Sequence, residues 1–263
     1  MLSFDSCRVP IKITESMQIH PLSEGAFTVD KTKQFVPFNV EGDVLQERPT
    51  GSLLVEIQPF CVVTRHDVIV LDTGLGYSES DGTLQLHANL LRMGINPMEV
   101  TKVLMSHLHK DHAGGMSRYD TALKQRIPTF PSAVYYINGR ELDFALRQGA
   151  PSFHTEPFAE MARSSQVALI EGSGTIDGYI RYTPSGGHSP FHQVFHIEDE
   201  GETVFFGGDE APQFRQMKSR IVAKYDYDGK LAMNLRQQWW EQAQAEHWTL
   251  LFYHDIAMPV VRC

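Results

Sequence analysis

The chain has 263 residues, of which 42% are hydrophobic, and its 32 acidic against 23 basic side chains give a formal net charge of −9. A chain of this length can bury a full hydrophobic core without disulfide bonds, and we expect a single domain over residues 1–263. The acidic balance argues against nucleic acid as a partner, because binding to a phosphate backbone requires a basic surface.

The cysteines and the hydropathy pattern predict a cytoplasmic protein. The three cysteines, Cys7, Cys61 and Cys263, are odd in number and contain no C-x-x-C pair, which is typical of free thiols in a reducing compartment. The N-terminal residues lack a basic region followed by an apolar stretch, and no apolar run reaches about 18 residues. We therefore expect neither a secretion signal nor a membrane segment.

Predicted strands and helices alternate along the chain. Runs rich in β-branched and aromatic residues predict strands at "SLLVEI" (52), "DVIVLD" (67), "VTKVLMS" (100), "AVYYIN" (133), "YIRYT" (179), "HQVFHIE" (192), "ETVFFGG" (202) and "WTLLFYH" (248). Helices are predicted over 84–93, 139–148 and 229–246. In the last of these, Leu231, Leu235, Trp239 and Ala243 recur every four residues and predict one buried stripe. The alternation indicates an α/β architecture with helices covering sheet faces.

The segment 149–178 has the loosest pattern in the chain. It contains "GAPSFHTEP" and "EGSGTIDG" around a short amphipathic piece. An insertion of this kind predicts a lid or a pocket wall. His154, which neighbours Phe153 in this segment, could line a substrate pocket, and an ordinary surface loop is the alternative.

The stretch "SHLHKDHAGG" at 106–115 predicts a metal site. His107 and His109 follow an apolar run and alternate, so an extended backbone directs both side chains to the same side. Asp111 and His112 follow where the chain turns. Imidazoles and carboxylates are ligands that Zn²⁺ and similar cations accept, and four of them within six residues are hard to explain by core packing.

A complete site needs further ligands, and the sequence offers them at the ends of later predicted strands. His188 lies in the glycine-rich stretch "TPSGGHSP", Asp209 follows "VFFGG", and His254 ends "LLFYH". Asp72 follows the earlier strand "VIVL" in the same way. Because buried strands deliver such residues to one rim of a sheet, we expect these side chains to converge.

This order of residues resembles that of the metallo-β-lactamase fold hydrolase superfamily. The family pattern of Asp, H-x-H-x-D-H, His, Asp and His is matched by Asp72, His107, His109, Asp111, His112, His188, Asp209 and His254, and the resemblance covers the chain from about residue 50 to its end. It implies an α/β fold of four layers, an αββα sandwich.

The resemblance also implies a role for each of these residues. His107, His109 and His188 would hold one divalent metal ion, Asp111, His112 and His254 would hold a second, Asp209 would bridge the two, and Asp72 would orient the site. Two zinc ions are the first expectation, with manganese, iron or cobalt as alternatives for the same nitrogen and oxygen ligands. A hydroxide between the cations would attack an acyl carbon, and Asp111 would carry the proton to the leaving group.

Within the superfamily the chain looks most similar to the lactonase and esterase branch, which includes N-acyl-homoserine lactonases. Two departures concern the substrate pocket: Pro212 stands where that branch often has a tyrosine, and Phe191 stands where it often has a glycine. Tyr225 or Tyr227 could supply the missing phenol as a donor to the substrate, and a role in a turn or in packing is the alternative. Lys110 is expected to point to solvent, because a cation beside two metal ions is unfavourable.

The expected function is hydrolysis of a lactone or another small carboxylic ester, with a small molecule as the substrate. Cleavage of an amide, thioester or phosphodiester is the second interpretation. A non-catalytic protein that uses the metal site to bind a ligand is the third. Apolar residues within the first fifty positions are compatible with a homodimer.

Overall fold

A computed structural model describes residues 16–263 of the chain. Cys7 and the N-terminal stretch considered above lie outside these residues. Cys61 and Cys263 are both free thiols, as expected, and Cys61 is buried. Within the described part, no helix is both long enough and apolar enough to cross a membrane.

Strands account for most of the regular structure in the described residues. In chain order they are β1 (Gln18–Pro21), β2 (Gly25–Val29), β3 (Phe35–Pro37), β4 (Leu53–Ile57), β5 (Phe60–Val63), β6 (Val68–Leu71), β7 (Lys102–Leu104), β8 (Ser117–Asp120), β9 (Gln125–Pro128), β10 (Val134–Asn138), β11 (Val167–Ile170), β12 (Gly174–Ile176), β13 (Ile180–Pro184), β14 (Gln193–Asp199), β15 (Glu202–Phe206), β16 (Thr249–Leu251) and β17 (Val260–Arg262). The α-helices are α1 (Gln85–Arg92), α2 (Lys110–Ala113), α3 (Gly139–Gln148), α4 (Glu156–Ala159), α5 (Phe214–Met217) and α6 (Gly229–Glu246).

Two six-stranded sheets form the body of the fold. The first has the spatial order β1-β5-β6-β7-β10-β11, and its last four strands are parallel. The second has the order β12-β13-β14-β15-β16-β17 and is antiparallel except for the parallel pair β15 and β16. A three-stranded sheet, β3-β2-β4, and a hairpin, β8 and β9, complete the strand pairing.

The buried side chains divide into layers because alternate residues of a strand face opposite sides of its sheet. Ile69 and Leu71 of β6 belong to the same core cluster as Phe206 of β15, so this cluster fills the space between the two sheets. Val70 of β6 faces the other way, into a cluster with Leu90 of α1. Both faces of these strands are therefore apolar, as expected for strands covered on each side.

Helices cover the two outer faces. Helices α1 and α3 pack on the first sheet. Phe205 of β15 packs against Trp239 of α6 on the second sheet, with ring centroids 5.0 Å apart. Burying an aromatic or aliphatic side chain of this size contributes about 1.5–3 kcal/mol. The predicted four-layer αββα sandwich is confirmed.

The buried face of α6 differs from the predicted stripe. Trp239 and Ala243 are buried as expected, but Leu231 is 37% exposed, and Ala232 and Arg236 are buried instead. A strict four-residue spacing advances by about 40° per step around a helix of 3.6 residues per turn, so it leaves the buried face within a few turns. The observed set uses steps of four, three and four residues and stays on one face.

Residues 149–178 contain two edge strands that the sequence pattern did not predict. Strand β11 pairs with β10 at the edge of the first sheet, and β12 pairs with β13 at the edge of the second. Helix α4 precedes them. The segment therefore runs from one sheet to the other, and a lid function for it stays a prediction.

A buried ion pair between Asp67 and Lys102 lies at the ends of β6 and β7 remote from the histidine-rich turn, and contacts to residues just before β13 connect it to the second sheet. The carboxylate of Asp67 lies 2.6 Å from the Lys102 ammonium and also accepts hydrogen bonds from Thr101 and from Tyr179, which precedes β13. Burial raises the pKa of Asp67, but the hydrogen bonds from Lys102, Thr101 and Tyr179 outweigh that effect and hold its pKa below the ordinary value.

Replacing this carboxylate should destabilise the fold in a pH-dependent way. Asp67→Asn is expected to lower the free energy of unfolding by about 1.5–3 kcal/mol at pH 7, because charged hydrogen bonds are lost. The pKa of Asp67 is lower in the folded protein than in the unfolded chain, where it is about 3.9. The stabilisation by its carboxylate is therefore complete well above pH 3.9 and is lost as the pH falls through the pKa of the folded state. Urea unfolding at pH 7, 5 and 3.5 measures the difference from wild type.

The matched control is Asp177→Asn, because Asp177 also pairs with Lys102 but its side chain is 60% exposed. We expect this variant to cost less than about 1 kcal/mol. Equal destabilisation by the two variants, or a cost of Asp67→Asn that is the same at pH 3.5 and pH 7, would contradict the assignment.

Candidate metal centre

The predicted metal-binding residues all follow strands at one edge of the two sheets. Asp72 follows β6, residues 106–112 follow β7, His188 follows β13, Asp209 follows β15 and His254 follows β16. Strands β6 and β7 are parallel, as are β15 and β16, and β13 runs in the same direction as β15 because both are antiparallel to β14. The carboxyl ends of these strands therefore meet, as the sequence predicted.

His107, His109 and His188 form a first group of converging nitrogens. The Nδ1 atom of His109 lies 2.8 Å from Nε2 of His107 and 3.0 Å from Nε2 of His188. The Oδ2 atom of Asp209 is 3.2 Å from Nε2 of His188. One ligand atom from each of these four residues lies within 4.8 Å of the others, so together they could hold one metal ion.

Asp111, His112 and His254 form a second group of the same kind. The Oδ2 atom of Asp111 is 3.8 Å from Nε2 of His112 and 3.6 Å from Nε2 of His254. The Oδ1 atom of Asp209 lies 3.1 Å and 3.0 Å from the same two nitrogens. The two carboxylate oxygens of Asp209 thus face two separate groups.

Four of the five histidines have a hydrogen-bonding partner on the ring nitrogen that points away from the centre. Nδ1 of His112 lies 2.7 Å from Asp72, Nδ1 of His254 lies 2.7 Å from the backbone carbonyl of Glu56, Nδ1 of His188 lies 3.1 Å from Asp226, and Nδ1 of His107 lies 3.1 Å from the hydroxyl of Ser106. Partners of this kind fix the ring orientation and leave Nε2 as the inward atom.

Asp72 lies beside the candidate ligand His112, and its orienting role stays a prediction. Its buried carboxylate contacts His112 and accepts hydrogen bonds from both the backbone N–H and the hydroxyl of Ser106, at 2.7 and 2.6 Å. Asp72 itself has a φ of +55°, in the left-handed region that non-glycine residues seldom adopt. Its contacts explain why the chain holds this conformation directly after β6.

The electrostatics of the centre favour a positive charge between the two groups. Burial lowers the pKa of His112, His188 and His254, but the nearby carboxylates, Asp209 first among them, outweigh burial and raise it above the usual value. Burial raises the pKa of Asp209, but these three histidines outweigh that effect and hold it well below its usual value. Opposite charges thus stabilise the carboxylate in its ionised form.

His107 and His109 behave differently from the other three. Burial and then the neighbouring histidines lower the pKa of both residues well below the usual value, so their rings are neutral near pH 7. Lys33 adds to this effect on His109. Neutral imidazoles present lone pairs, which is the form in which histidine binds metal ions.

These residues fit divalent metal ions. Within residues 16–263, Nε2 of His112 and Oδ1 of Asp209 are buried and have no hydrogen-bond partner, although they lie 3.1 Å apart. Buried polar atoms without partners are unfavourable, and a cation between them satisfies both. One group offers three histidines and a carboxylate, and the other offers two histidines and carboxylates. Zinc and similar ions accept such sets of nitrogen and oxygen ligands.

A cavity of about 840 Å³ opens onto this centre. His109, Asp111, His188, Asp209 and His254 all line it. Apolar residues form much of the remaining wall: Val29, Phe35, Leu53, Leu54, Val55, Pro212, Ile221 and Ala223. The volume lies within the range typical of small-molecule sites.

Of the residues suggested for substrate contact, Tyr225 is the one that lines the cavity. Its ring centroid lies 6.0 Å from that of His188, and its hydroxyl accepts a hydrogen bond of 3.2 Å from Gln216. Burial raises the pKa of Tyr225 to about 12, so the phenol keeps its proton at neutral pH. The hydroxyl hydrogen is therefore available to a ligand.

The other three suggested substrate residues lie outside the described cavity wall. Tyr227 is 72% exposed to solvent, since its backbone rather than its ring faces the His188 loop. Phe191 packs against Phe144 and beneath the guanidinium of Arg140. His154 is exposed.

Lys110, expected to point to solvent, instead lines the cavity, with its ammonium 5.5 Å from the ring centroid of Phe35.

Three buried carboxylates that sequence reasoning missed hold the metal-binding loops in place. Glu141 accepts hydrogen bonds from the backbone N–H of Leu108 and from the hydroxyl of Ser189, and so ties the histidine-rich turn to the His188 loop. Glu210 accepts the backbone N–H groups of Gly187 and His188, and Asp226 contacts Nδ1 of His188. Glu210 follows Asp209 directly, and this adjacency is the one signal that the sequence offered. Glu141 and Asp226 lie 33 or more residues from their partners.

Close packing around the His188 loop requires a glycine. A Cβ atom at Gly187 would lie 2.8 Å from the backbone nitrogen of Ala232 and 2.5 Å from the carboxylate of Glu210. His192, four residues after His188, is buried and accepts the backbone N–H of Asp209 at 3.2 Å. This contact ties His192 to the loop that carries Asp209.

Comparison with known proteins agrees with this geometry. The family model for the metallo-beta-lactamase superfamily matches residues 55–254. The N-acyl homoserine lactonase AiiA of Bacillus thuringiensis subsp. kurstaki is 25% identical over 169 residues, which cover 64% of this chain and 60% of the lactonase. The alignment thus spans less than two thirds of that relative's length.

Solved structures share the fold. A probable metal-dependent hydrolase from Staphylococcus aureus superposes with a TM-score of 0.73 at 21% identity, covering 94% of this chain and 92% of its own. AidC, a dizinc quorum-quenching lactonase in complex with a product, superposes with a TM-score of 0.67 at 20% identity, covering 95% of this chain and 91% of its own. The chain belongs to the metallo-beta-lactamase superfamily.

The contact between Asp226 and His188 predicts an effect on metal affinity. Asp226→Ala should weaken binding of zinc about 10- to 100-fold, because the imidazole loses the partner that orients it. Competition with a chromogenic chelator measures this affinity. The matched control is Asp228→Ala in the same loop, which removes the cap on the backbone N–H of Leu231 at the start of α6.

For the control we expect a loss of stability of about 1 kcal/mol and unchanged zinc affinity. If the two variants weaken zinc binding equally, the effect comes from the loop as a whole and the orienting role of Asp226 is wrong.

Proposed function

We propose that this chain is a dinuclear metal-dependent hydrolase that opens a lactone or cleaves another small carboxylic ester. The observation that carries the proposal is the position of Asp209, whose two carboxylate oxygens lie 3.0–3.2 Å from nitrogens of two separate ligand groups. Membership of the superfamily and the similarity to a lactonase support the hydrolytic class. The apolar cavity wall supports a substrate with an uncharged, acyl-like part.

In this proposal His107, His109 and His188 would hold one ion, Asp111, His112 and His254 would hold the other, and Asp209 would contribute to both. Zinc is the first expectation, and manganese, iron or cobalt suit the same ligands. Bound divalent ions supply a nucleophilic hydroxide near neutral pH and polarise the carbonyl group of the substrate.

The protein residues supply the remaining chemistry. The Asp111 carboxylate lines the cavity and its backbone carbonyl accepts a 2.6 Å hydrogen bond from Tyr253, so the side chain is held where it can carry a proton from the attacking water to the leaving oxygen. Tyr225 donates its hydroxyl hydrogen to the substrate oxygen that gains charge. Asp111 and Asp209 are therefore the carboxylates that take part in the reaction.

Metal content combined with a substrate panel tests the class of reaction. The purified protein, loaded with zinc or with manganese, is assayed on N-acyl lactones, aryl esters, a thioester, an anilide and a phosphodiester. We expect lactones and esters to be hydrolysed and chelation to abolish turnover. Turnover confined to phosphodiesters, thioesters or amides would overturn the ester assignment, and a metal-loaded protein without turnover would indicate a binding protein.

Replacing a ligand should separate catalysis from folding. His109→Ala is expected to lower kcat/KM by more than about 100-fold, beyond the range for residues that only orient a ligand. The free energy of unfolding of the chelated protein should change by less than about 1 kcal/mol, because the side chain sits at the cavity surface. Urea unfolding and ester kinetics on the same preparations check both expectations; simultaneous loss of folding and activity would contradict them.

Removing the Tyr225 hydroxyl should slow the reaction without changing the metal content. Tyr225→Phe is expected to lower kcat roughly 100-fold, the typical effect of losing one donor to a developing negative charge. The matched control is Tyr227→Phe, because that ring is exposed to solvent. An unchanged kcat for Tyr225→Phe, or an equal loss in the control, would remove Tyr225 from the mechanism.

The cytoplasmic location, the single domain over 1–263 and the homodimer stay predictions. A dimer would find exposed apolar side chains on and beside β3 and at the start of β4: Val36, Val40, Val44, Leu45 and Leu53 are each 44–53% exposed. Light scattering on the purified chain measures the mass in solution.

A further inference from the structure

The cavity wall carries positive charge in a protein whose net charge is −9. Lys31, Lys33, Lys110 and Lys224 all line it. Of the carboxylates in the wall, Asp111 and Asp209 belong to the metal centre and Asp30 is bound to the backbone and hydroxyl of Thr32, at 2.8 and 2.6 Å. The wall therefore holds more ammonium groups than carboxylates.

These four lysines have no carboxylate partner within 4 Å among residues 16–263, whereas other basic side chains of the chain do. Arg65 pairs with Asp199, Arg92 pairs with Glu79 and Lys102 pairs with Asp67. Lys33 and Lys110 are only half exposed, so part of their hydration is already lost. Partly desolvated ammonium groups without partners are suited to bind an anion.

Two separate elements bring Lys33 and Lys110 to the same part of the wall. Lys110 begins α2, and its backbone N–H is fixed by a 2.9 Å hydrogen bond to the carbonyl of Ser152. Its ammonium lies over Phe35, two residues from Lys33. Lys33 ends a tight turn closed by its 3.0 Å backbone hydrogen bond to Asp30, and it has a φ of +60°. Such a conformation is uncommon outside glycine and persists where neighbouring contacts hold it.

Apolar side chains share the cavity wall with these lysines. Val29 and Phe35 flank the turn that carries Lys33, and Leu53 and Val55 of β4 continue the same wall. A ligand that fills the cavity from the metal centre to Lys33 and Lys110 therefore contacts apolar side chains as well as ammonium groups. It needs an apolar body and an anionic end.

We propose that the substrate is an amphipathic ester or lactone that carries an anionic group, a carboxylate or a phosphate, remote from the bond that is cleaved, and that Lys33 and Lys110 bind this group. The inference rests on the proposed hydrolysis at the metal centre. The anion must be remote because the centre itself receives the carboxylate that hydrolysis creates. Lys31 and Lys224, which are exposed, add a field that attracts such substrates.

A pair of esters of equal length tests the inference on the acyl side. The mono-4-nitrophenyl ester of adipic acid carries a remote carboxylate, and 4-nitrophenyl hexanoate does not. We expect the metal-loaded wild type to favour the adipate ester in kcat/KM, and 0.5 M NaCl to reduce that preference, because salt screens the interaction. In the Lys33→Gln, Lys110→Gln double variant the ratio of the two kcat/KM values should fall about tenfold.

The control is Lys124→Gln, which removes a charge from the exposed turn between β8 and β9 and should leave the ratio unchanged. If Lys33 and Lys110 act only through a general electrostatic effect on the metal centre, the double variant changes kcat/KM for both esters by the same factor. A second pair, 4-carboxyphenyl and phenyl hexanoate, places the charge on the alcohol side. The inference is overturned if neither pair shows a preference that depends on the two lysines.

Calorimetry separates failure of the subsite from failure of the reaction. Metal-loaded wild type and double variant are titrated with adipate and with hexanoate, which share one carboxylate and differ in the second. Tighter adipate binding that the double variant loses supports the subsite, even if neither ester is hydrolysed and the proposed reaction fails. Hydrolysis of both esters with no lysine-dependent difference in rates or binding refutes the subsite and leaves the hydrolase intact.

Discussion

The carboxylate of Asp209 is the interaction on which the site depends. Its two oxygens face two histidine groups whose members follow three different strands, and its ionised form is stabilised by His112, His188 and His254 together. Neither group is complete on one sheet: the histidine-rich turn follows the first sheet, and His188, Asp209 and His254 follow the second. The site therefore exists only when the two sheets are packed against each other.

Holding so many polar groups in a buried space requires a layer of partners around them. Asp72, Asp226 and the Glu56 carbonyl each bind the outer nitrogen of one histidine, while Glu141 and Glu210 bind the loops that carry them. Each partner satisfies a donor that would be costly to bury alone, and it also fixes the direction of a ligand atom. Stability and metal geometry thus depend on the same hydrogen bonds.

The cavity wall surrounds this centre with apolar side chains and lysines. Its base presents metal-binding groups and much of its remaining wall is apolar. Lys33 lies on the turn between β2 and β3, which contributes no candidate ligand, whereas Lys110 lies on α2 beside Asp111 and His112. Segments outside the two large sheets can vary in sequence without disturbing the centre, because loops tolerate change better than the scaffold that carries them. In the proposed function the metal centre determines which bond is cleaved, and the turn that carries Lys33 contributes to the choice of substrate.

The sequence by itself determined the fold class and the set of polar residues that converge at the candidate metal centre, because strand periodicity, the H-x-H-x-D-H spacing and polar residues at strand ends are local patterns. It did not identify Glu141 or Asp226, nor the inward position of Lys110, and it misplaced Tyr227, Phe191 and His154 relative to the cavity. It also overextended the buried stripe of α6 to Leu231. These features depend on contacts between residues far apart in the chain, and only the packing of the two sheets and their covering loops decides which side chains meet.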